Sequence, residues 1–451
     1  MSYNPPAADM EPRWARFVPL LYILFSSVQS CEIPNGKVKP INSLNTELLQ
    51  LAGDASQEPS PSLYLGLRLS DEHSPEKEKQ YLRRLKEAFQ PNVSRTSAAV
   101  HYQEQPGTGL LALYLLALRA ACHSMETPEG NWLITQLKLH LHKEKERIGH
   151  RGEGNPITNY YQYSLGILAL CVHKKKIDEH VIHKLSHAEE HGRFQHNGDV
   201  SVDTEAMAGL AFVCLQEAPF YTPELKGKLD RSLQRVKEKI LQAQTSEGAF
   251  GNIYSSPLAV QFLIAARMRQ KKPECPAAMA ALFRSLEQGD FRNSLIKSQL
   301  LPVLYGKSYL DIARQECHVE RGGPEESLVL AAPTSASRKT NLGEKRIGVQ
   351  LVVKRPPRRL PLYKHVLSVP TGSSLLEVLE AAKGQSHGTF MFETQSTLSG
   401  PMLTSVMGVK AQEGERKYWK ILRAPNFILD EGIADYIPKH KETIILRFMP
   451  W

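Results

Sequence analysis

Between residues 60 and 312 the chain repeats one pattern of apolar and polar positions. TGLLALYLLALRAAC (108–122), TNYYQYSLGILALCVHKKK (158–176), VDTEAMAGLAFVCLQEA (202–218) and NIYSSPLAVQFLIAARM (252–268) each start on polar or turn residues and then run Ala/Leu-rich with little charge. A helix that is apolar on nearly all sides belongs in an interior. Between these stretches, WLITQLKLHLHKEKER (132–147) and LKGKLDRSLQRVKEKILQAQ (225–244) carry apolar residues at helical spacing and Lys, Arg and Glu elsewhere, which predicts helices with one buried face. SLYLGLRLS (62–70) and SLIKSQLLPVLYGKSYLD (294–311) add buried elements at the two ends of the series. Buried helices alternating with amphipathic ones every few tens of residues predict stacked helical hairpins. A closed α/α toroid accommodates both kinds, with buried helices inside and amphipathic ones outside; an open solenoid is the alternative.

After Cys317 the texture changes. Residues 318–345 are rich in Gly, Pro, Ser and charge with no sustained period and read as a linker. Strand patterns follow: IGVQLVVK (347–354), HVLSVP (365–370), TFMFETQ (389–395), LTSVMGVKA (403–411), KYWKILR (417–423) and ETIILRFMP (442–450), with one helix at SSLLEVLEAA (373–382). The expected class is mainly α: an α-helical domain over 31–317, then a small α+β domain over 346–451 built on a mostly antiparallel sheet.

The 451 residues are 41% apolar and 23% charged, an ordinary globular mix that excludes collagen-like, coiled-coil and wholly disordered chains. Residues 1–30 differ. Arg13 and Arg16 precede an apolar run over 17–25, and Ser26, Ser27, Val28 and Ser30 follow. That order is a secretory signal, and the run is shorter than the roughly 20 apolar residues of a membrane span. Met10 offers an alternative start with a more ordinary signal. Secretion implies an oxidising compartment, where Cys31, Cys122, Cys171, Cys214, Cys275 and Cys317 pair as disulfides with the connectivity left open. None forms a CxxC pair, so a zinc site is not indicated. Asn92-Val93-Ser94 is a glycosylation acceptor. The net charge of +9 permits an anionic partner without requiring one.

In a toroid the inner helices run the same way, so their N-terminal residues gather at one rim. Those residues are Thr158, Tyr160, Tyr161 and Gln162; Ser201 and Asp203; Asn252, Tyr254 and Ser255, with Gln299 set inside an apolar helix. Hydrogen-bonding side chains above an apolar plug make a ligand seat. Thr158, Ser201, Asp203 and Asn252 read equally well as helix N-caps, worth about 1 kcal/mol each, and Gln299 as a satisfied core amide. HAEEHGRFQHNGDVSVDT (187–204) reads as a loop holding His187, His191 and His196, each a possible metal ligand when neutral. No GxSxG, HExxH, Walker or GxGxxG motif occurs. Asp203, Glu205 and Glu247 lie near repeat starts, which leaves a secreted α/α-barrel glycan hydrolase as the alternative function. RPPRR (355–359), next to Lys354, reads as a solvated basic hairpin rather than an anion site.

The stretches YYQYSLGILALC, SVDTEAMAGLAF, GNIYSSPLAVQFL, SQLLPVL, ETQSTLSGPMLTSVMG and GIADYIP, in this order, resemble the cobalamin transport proteins of vertebrates: transcobalamin, intrinsic factor and haptocorrin. Intrinsic factor is less similar in these stretches than transcobalamin. The resemblance implies an α6/α6 barrel followed by a small β-rich domain, with cobalamin, a cobalt corrinoid, held as cargo between them. It implies corrin contacts at Thr158, Tyr160, Tyr161, Gln162, Asp203, Asn252, Ser255 and Gln299, and in the small domain at Leu403, Trp419, Lys420 and Ile421. Leu110 stands where the family uses a glutamine, and Asp199-Val200 where it has adjacent histidines. A loop histidine on cobalt is also implied, His196 or alternatively His191. The implied disulfides are Cys31–Cys275, Cys122–Cys317 and Cys171–Cys214. The resemblance further implies a secreted, monomeric, non-enzymatic carrier taken up through a cell-surface receptor, with no nucleic acid partner and no membrane insertion.

Overall fold

The computed structural model describes residues 38–89, 107–152, 154–196, 198–266, 274–314, 346–357, 360–386, 388–397, 400–411, 417–429, 432–434 and 436–450. The predicted signal, the linker, Asn92, Cys31 and Cys317 lie outside them.

Six apolar helices form the interior of the first part: α2 (Pro61–Leu69), α4 (Thr108–Ala120), α6 (Tyr160–Val172), α8 (Val202–Glu217), α10 (Ser256–Ala265) and α12 (Ser294–Leu304). Each packs on the next, and α12 packs on α2. Amphipathic helices lie between them in sequence: α1 (Val38–Gly53), α3 (Pro75–Phe89), α5 (Pro128–Ile148), α7 (Glu179–Glu190), α9 (Pro223–Gln242) and α11 (Glu274–Gln288). The short α13 (Asp311–Arg314) follows α12. The starts of α5 and α9 are encoded locally: Thr127 and Thr222 accept hydrogen bonds from Gly130 N and Leu225 N, and a proline takes the first helical position.

The contact of α12 with α2 depends on a missing side chain. A Cβ on Gly66 of α2 would stand 2.7 Å from the Ser298 carbonyl oxygen of α12. Cys171 and Cys214, at the far ends of α6 and α8, are joined by a disulfide with Cα atoms 6.1 Å apart. Cys122 and Cys275 are also disulfide-bonded; their expected partners, Cys317 and Cys31, lie outside the described residues.

Where a histidine loop is expected, α7 instead continues to Glu190, placing His187 in its last turn and His191 at its C-cap. Gly192, at φ +63°, releases the chain from the helix. A two-stranded hairpin follows, β1 (Gln195–His196) against β2 (Asp199–Val200). Its base is closed by the Ser201 amide donating to the Phe194 carbonyl at 2.9 Å, at the start of α8.

The second part has its own apolar core. Its strands are β3 (Arg346–Lys354), β4 (Tyr363–Pro370), β5 (Phe392–Thr397), β6 (Gly400–Val406), β7 (Val409–Lys410), β8 (Lys417–Arg423), β9 (Phe427–Ile428) and β10 (Thr443–Pro450), and its helix is α14 (Leu375–Gln385). A Ser374/Glu377 capping box starts α14. The main sheet has the order β4-β3-β10-β8-β9 and is mixed: β3 and β10 pair in parallel while the other pairs are antiparallel. The parallel pair follows from the long connection between them, which includes a helix. The stretch 403–411, expected as one strand, is a hairpin. Met407 and Gly408 both take positive φ (51° and 76°) and reverse the chain between β6 and β7. The β3–β4 turn carries Arg355 and the cis Pro356–Pro357 bond, consistent with a hairpin role for the basic turn.

Candidate functional site

The first turns of the inner helices meet one another. The Gly109 amide at the start of α4 donates to Gln162 Oε1 in α6 at 3.1 Å. Thr108 and Thr158 both donate hydroxyl protons to Glu144 Oε1, at 2.8 and 2.7 Å, and the Thr158 amide donates to Oε2 at 3.0 Å. Glu144 is 1% exposed, a carboxylate of an outer helix satisfied by three neutral donors from the ends of two inner ones. Thr158 is therefore not the N-cap of α6. Asn159 is, its side chain accepting from Gln162 N at 2.8 Å.

Tyr160 is buried and donates to the Gly154 carbonyl at 3.1 Å. Its neighbour Tyr161 is half-buried and accepts from Gln299 Nε2 of α12 at 3.3 Å, across 138 residues of sequence. Burial above all, with Tyr309 and Asp203 close enough to add to it, holds the Tyr161 phenol well above the ordinary range. Gln299 is 8% exposed, and its backbone carbonyl accepts from Gln261 Nε2 of α10 at 2.8 Å. One polar chain thus links α6, α12 and α10, with Asp203 of α8 beside it.

On α8, Ser201 occupies the N-cap position, but its hydroxyl contacts side chains: it donates to Asp203 Oδ1 at 2.7 Å and lies 2.8 Å from Thr204 Oγ1. Asp203 is exposed in the first turn. Asn252 is exposed, and its Oδ1 accepts from the Tyr254 and Ser255 amides at 2.9 Å each, shaping the turn before α10. The Ser255 hydroxyl points back into that turn, donating to the Phe250 carbonyl at 2.7 Å. Leu110, near the start of α4, is half-buried.

Two of the small-domain candidates are core residues. Leu403 and Trp419 are buried, and the indole N–H donates to the Val409 carbonyl at 2.8 Å. Lys420 and Ile421 are half-buried along β8. Among the histidines, His191 Nδ1–H donates to the His187 carbonyl at 2.8 Å, and its ring stacks on His187 with centroids 3.9 Å apart. His196 pairs with Asp199 across the short hairpin. No cluster of three or more metal-ligating side chains exists among the described residues.

Sequence reasoning missed Glu144, Gln261 and Tyr309. Glu144 had a readable signal: it continues the apolar face Leu137, Leu141, Ile148 at three- and four-residue steps, so a charge there must find internal donors. The hydrolase alternative gains nothing from its carboxylates. Glu205 is buried against Lys239 rather than facing a cleft, while Glu247 is exposed.

A mainly helical part with hydrogen-bonding first turns on its inner helices, followed by a small mixed sheet, accords with the sequence matches. The chain belongs to the eukaryotic cobalamin-binding protein family, whose pattern matches residues 14–338. Within it, the chain is 43% identical to transcobalamin-2 of Homo sapiens over 441 residues, spanning 96% of this chain and 99% of that protein. Transcobalamin-2 of Bos taurus is 44% identical over 427 residues, 93% of this chain and 95% of the relative. Cobalamin binding intrinsic factor of Mus musculus is 27% identical over 427 residues, 93% and 94% of the two chains. The solved structure of haptocorrin in complex with Cbi superposes with a TM-score of 0.72 at 24% identity, covering 94% of this chain and all of that one, a likeness of fold.

Proposed function

We propose that this chain is a cobalamin carrier of extracellular fluid and not an enzyme, its cargo delivered through a cell-surface uptake receptor. The observation that carries the reading is the meeting of Tyr161, Gln299 and Asp203, from three inner helices, in a chain of this family. The return of α12 onto α2 supports a closed α6/α6 toroid over 31–317, joined through the linker 318–345 to the small domain over 346–451. Cobalamin binds at the rim and is covered by the small domain. A corrin ring is broad and apolar on its faces and fringed with amides, so half-buried phenol, amide and carboxylate side chains suit its edge and the apolar plug its face.

Thr158, Gln162, Asp203, Asn252 and Gln299 serve the amide fringe, with Tyr160 and Ser255 holding the rim in shape. On the small domain, Lys420 and Ile421 take the contact, and Leu403 and Trp419 fix the strands beneath them. His196 is the cobalt ligand, since neutral imidazole suits a transition metal and the hairpin that carries it closes at the start of α8. His191 is the alternative, with its Nδ1–H committed to the helix and its Nε2 as the ligating atom. Disulfides Cys31–Cys275 and Cys122–Cys317 complete the set begun by Cys171–Cys214. Residues 1–30 are removed on secretion.

The test is a visible spectrum of purified protein with added aquocobalamin. Binding with imidazole displacing the cobalt-bound water shifts the bands; no shift and no retention of colour through gel filtration defeats the carrier reading. His196→Ala retains the colour but loses the shift. A shift lost only in His191→Ala moves the ligand to His191.

A further inference from the structure

The hairpin β1–β2 is too small to fix its own position. Each strand has two residues, and the register joins Gln195 to Val200 and His196 to Asp199. A hairpin of this size is marginal by itself in water. Gly192 and Gly198, at φ +63° and +92°, bend the chain before and within it. Phe194, buried with its ring 5.3 Å from that of Tyr160 in α6, anchors the entering side, but Asp199 and Val200 are exposed. Where the hairpin stands is therefore set by the two helix ends that it joins, the last turn of α7 and the first turn of α8.

Lys239 of α9 ties those two ends together. Its Nζ donates to the Glu189 backbone carbonyl at 3.0 Å and to Glu189 Oε1 at 2.9 Å, in the last turn of α7, and to Glu205 Oε1 of α8 at 2.8 Å. An ammonium has three protons to donate, and all three are committed here. The same Glu189 carbonyl accepts from the Gly192 amide at 3.1 Å, where the chain leaves α7. On the other side the Glu205 amide donates to the Ser201 carbonyl at 3.0 Å, and the Ser201 amide closes the hairpin on Phe194. The contacts thus run in a closed circuit from Lys239 through Glu189, Gly192, the hairpin, Ser201 and Glu205 back to Lys239. The carboxylates of Glu189 and Glu205 are 0% and 2% exposed, so these charge-assisted bonds are made away from water, where they are strong. Arg235 holds Glu189 as well, but the bridge from Glu189 to Glu205 is the Lys239 ammonium.

We propose that Lys239 is a positioning residue for cargo binding: by joining Glu189 to Glu205 it pins the hairpin at the start of α8 and so holds in place the strand that carries His196, the cobalt ligand. This rests on the cobalamin-binding reading above and on its assignment of His196. Lys239 acts through the hairpin and not on the cargo itself.

The experiment uses the double variant Lys239→Met with Glu205→Gln, which removes the ammonium without stranding a buried carboxylate, since Glu189 keeps Arg235. Glu205→Gln alone, which keeps an acceptor for Lys239, is the reference. Hydrogen exchange is followed in the cargo-free chains at the amides of Gly192, Arg193 and Ser201, which bond to the Glu189, Ala188 and Phe194 carbonyls. The Tyr163 amide of α6, bonded to the Asn159 carbonyl, is the control. In the double variant the three amides around the hairpin are expected to exchange at least about tenfold faster than in the reference, the effect of one charge-assisted bond, with Tyr163 unchanged. With aquocobalamin added, the double variant is expected to retain the colour through gel filtration but to gain the imidazole bands about tenfold more slowly, or not at all. Unchanged exchange around the hairpin overturns the proposal. So does an equal rise at Tyr163, up to a chain that fails to fold, because Lys239 is then a general structural residue. Faster exchange around the hairpin with the reference spectrum and rate overturns the role in binding. A wild-type chain that holds aquocobalamin without gaining imidazole bands overturns the His196 assignment and the proposal with it, whereas one that does not hold the colour overturns the carrier reading, and exchange then decides the pin alone.

Discussion

Glu205 meets Lys239 through one carboxylate oxygen. Lys239 Nζ donates to Oε1 at 2.8 Å, while Oε2 is buried with no partner among the described residues. Glu189 of α7, fully buried, faces the same ammonium at 2.9 Å and also takes Arg235 of α9 at 2.6 Å. Burial, aided by repulsion from Glu189 and opposed by Lys239 and Arg235, pushes the Glu205 carboxyl up to about 7. For Lys239, burial acts downward, but its bonds to Glu205 and Glu189 prevail and hold it above the ordinary lysine range.

A raised carboxyl favours the protonated folded state. The stability it contributes is fully present below the ordinary value of 4.5 and is lost as pH rises through about 7. Glu205→Gln keeps an acceptor for Lys239 and abolishes the ionisation. The expected outcome is equal Tm for the two proteins near pH 4.5 and a more stable variant at pH 8, by about 3 kcal/mol at the upper limit. Thermal melts across that range check it; a variant less stable than wild type at pH 8 defeats it.

Glu144 is another buried carboxylate of the helical part, held by neutral donors instead of a cation. Thr158→Val removes the hydroxyl bond to its Oε1 and leaves the backbone amide bond to Oε2 in place. The expected loss is about 1–3 kcal/mol, read by urea denaturation, with cobalamin affinity falling as the start of α6 loosens. Glu144→Ala strands Thr108 and Thr158 together and costs more than Thr158→Val. Equal costs would show that the carboxylate does not organise the two helix ends.

Gly66→Ala tests the contact between the first and last inner helices. The new methyl meets a backbone oxygen at 2.7 Å, which a rotamer change cannot relieve. A loss of about 1–3 kcal/mol is expected, together with faster proteolysis near α2. Gly227, half-buried in the second turn of α9, has open space around it, so Gly227→Ala is expected to stabilise by a few tenths to about 1 kcal/mol. The pair separates crowding from helix propensity.

Cys171→Ala with Cys214→Ala opens a link spanning 43 residues between α6 and α8. Chain entropy puts its worth at about 4 kcal/mol. Both sulfurs lie at the C-terminal ends of their helices, away from the rim, so the surviving folded protein is expected to bind cobalamin with unchanged affinity and melt lower. Affinity lost at temperatures where circular dichroism shows a native helix content would tie this bridge to the site.

The apolar runs at 108–122, 158–176, 202–218 and 252–268 foretold four inner helices, and the mixed patterns at 132–147 and 225–244 foretold outer ones, because helical periodicity is written in neighbouring residues. The histidine segment reads as a loop because HAEE carries no apolar period of its own, yet α7 extends through HAEE with Glu189 turned inward to Arg235 and Lys239. The turn at Met407-Gly408 is not legible within 403–411 because a methionine at positive φ is not announced by its type. Thr158 looked like a cap, and only the buried Glu144 on α5 shows why it is not.

The sequence by itself determined which faces are buried, where helices give way to strands, and that polar first turns would stand at the start of apolar helices. It could not decide which side chain each polar group meets. Tyr161 and Gln299 stand 138 residues apart, and Tyr309 reaches Gln299 only through Gln261. Local pattern fixes burial because burial is a property of one helix face. Hydrogen-bond partnership is a property of two, and here it was set only when α12 came to rest beside α2 and brought the far end of the series to the near one.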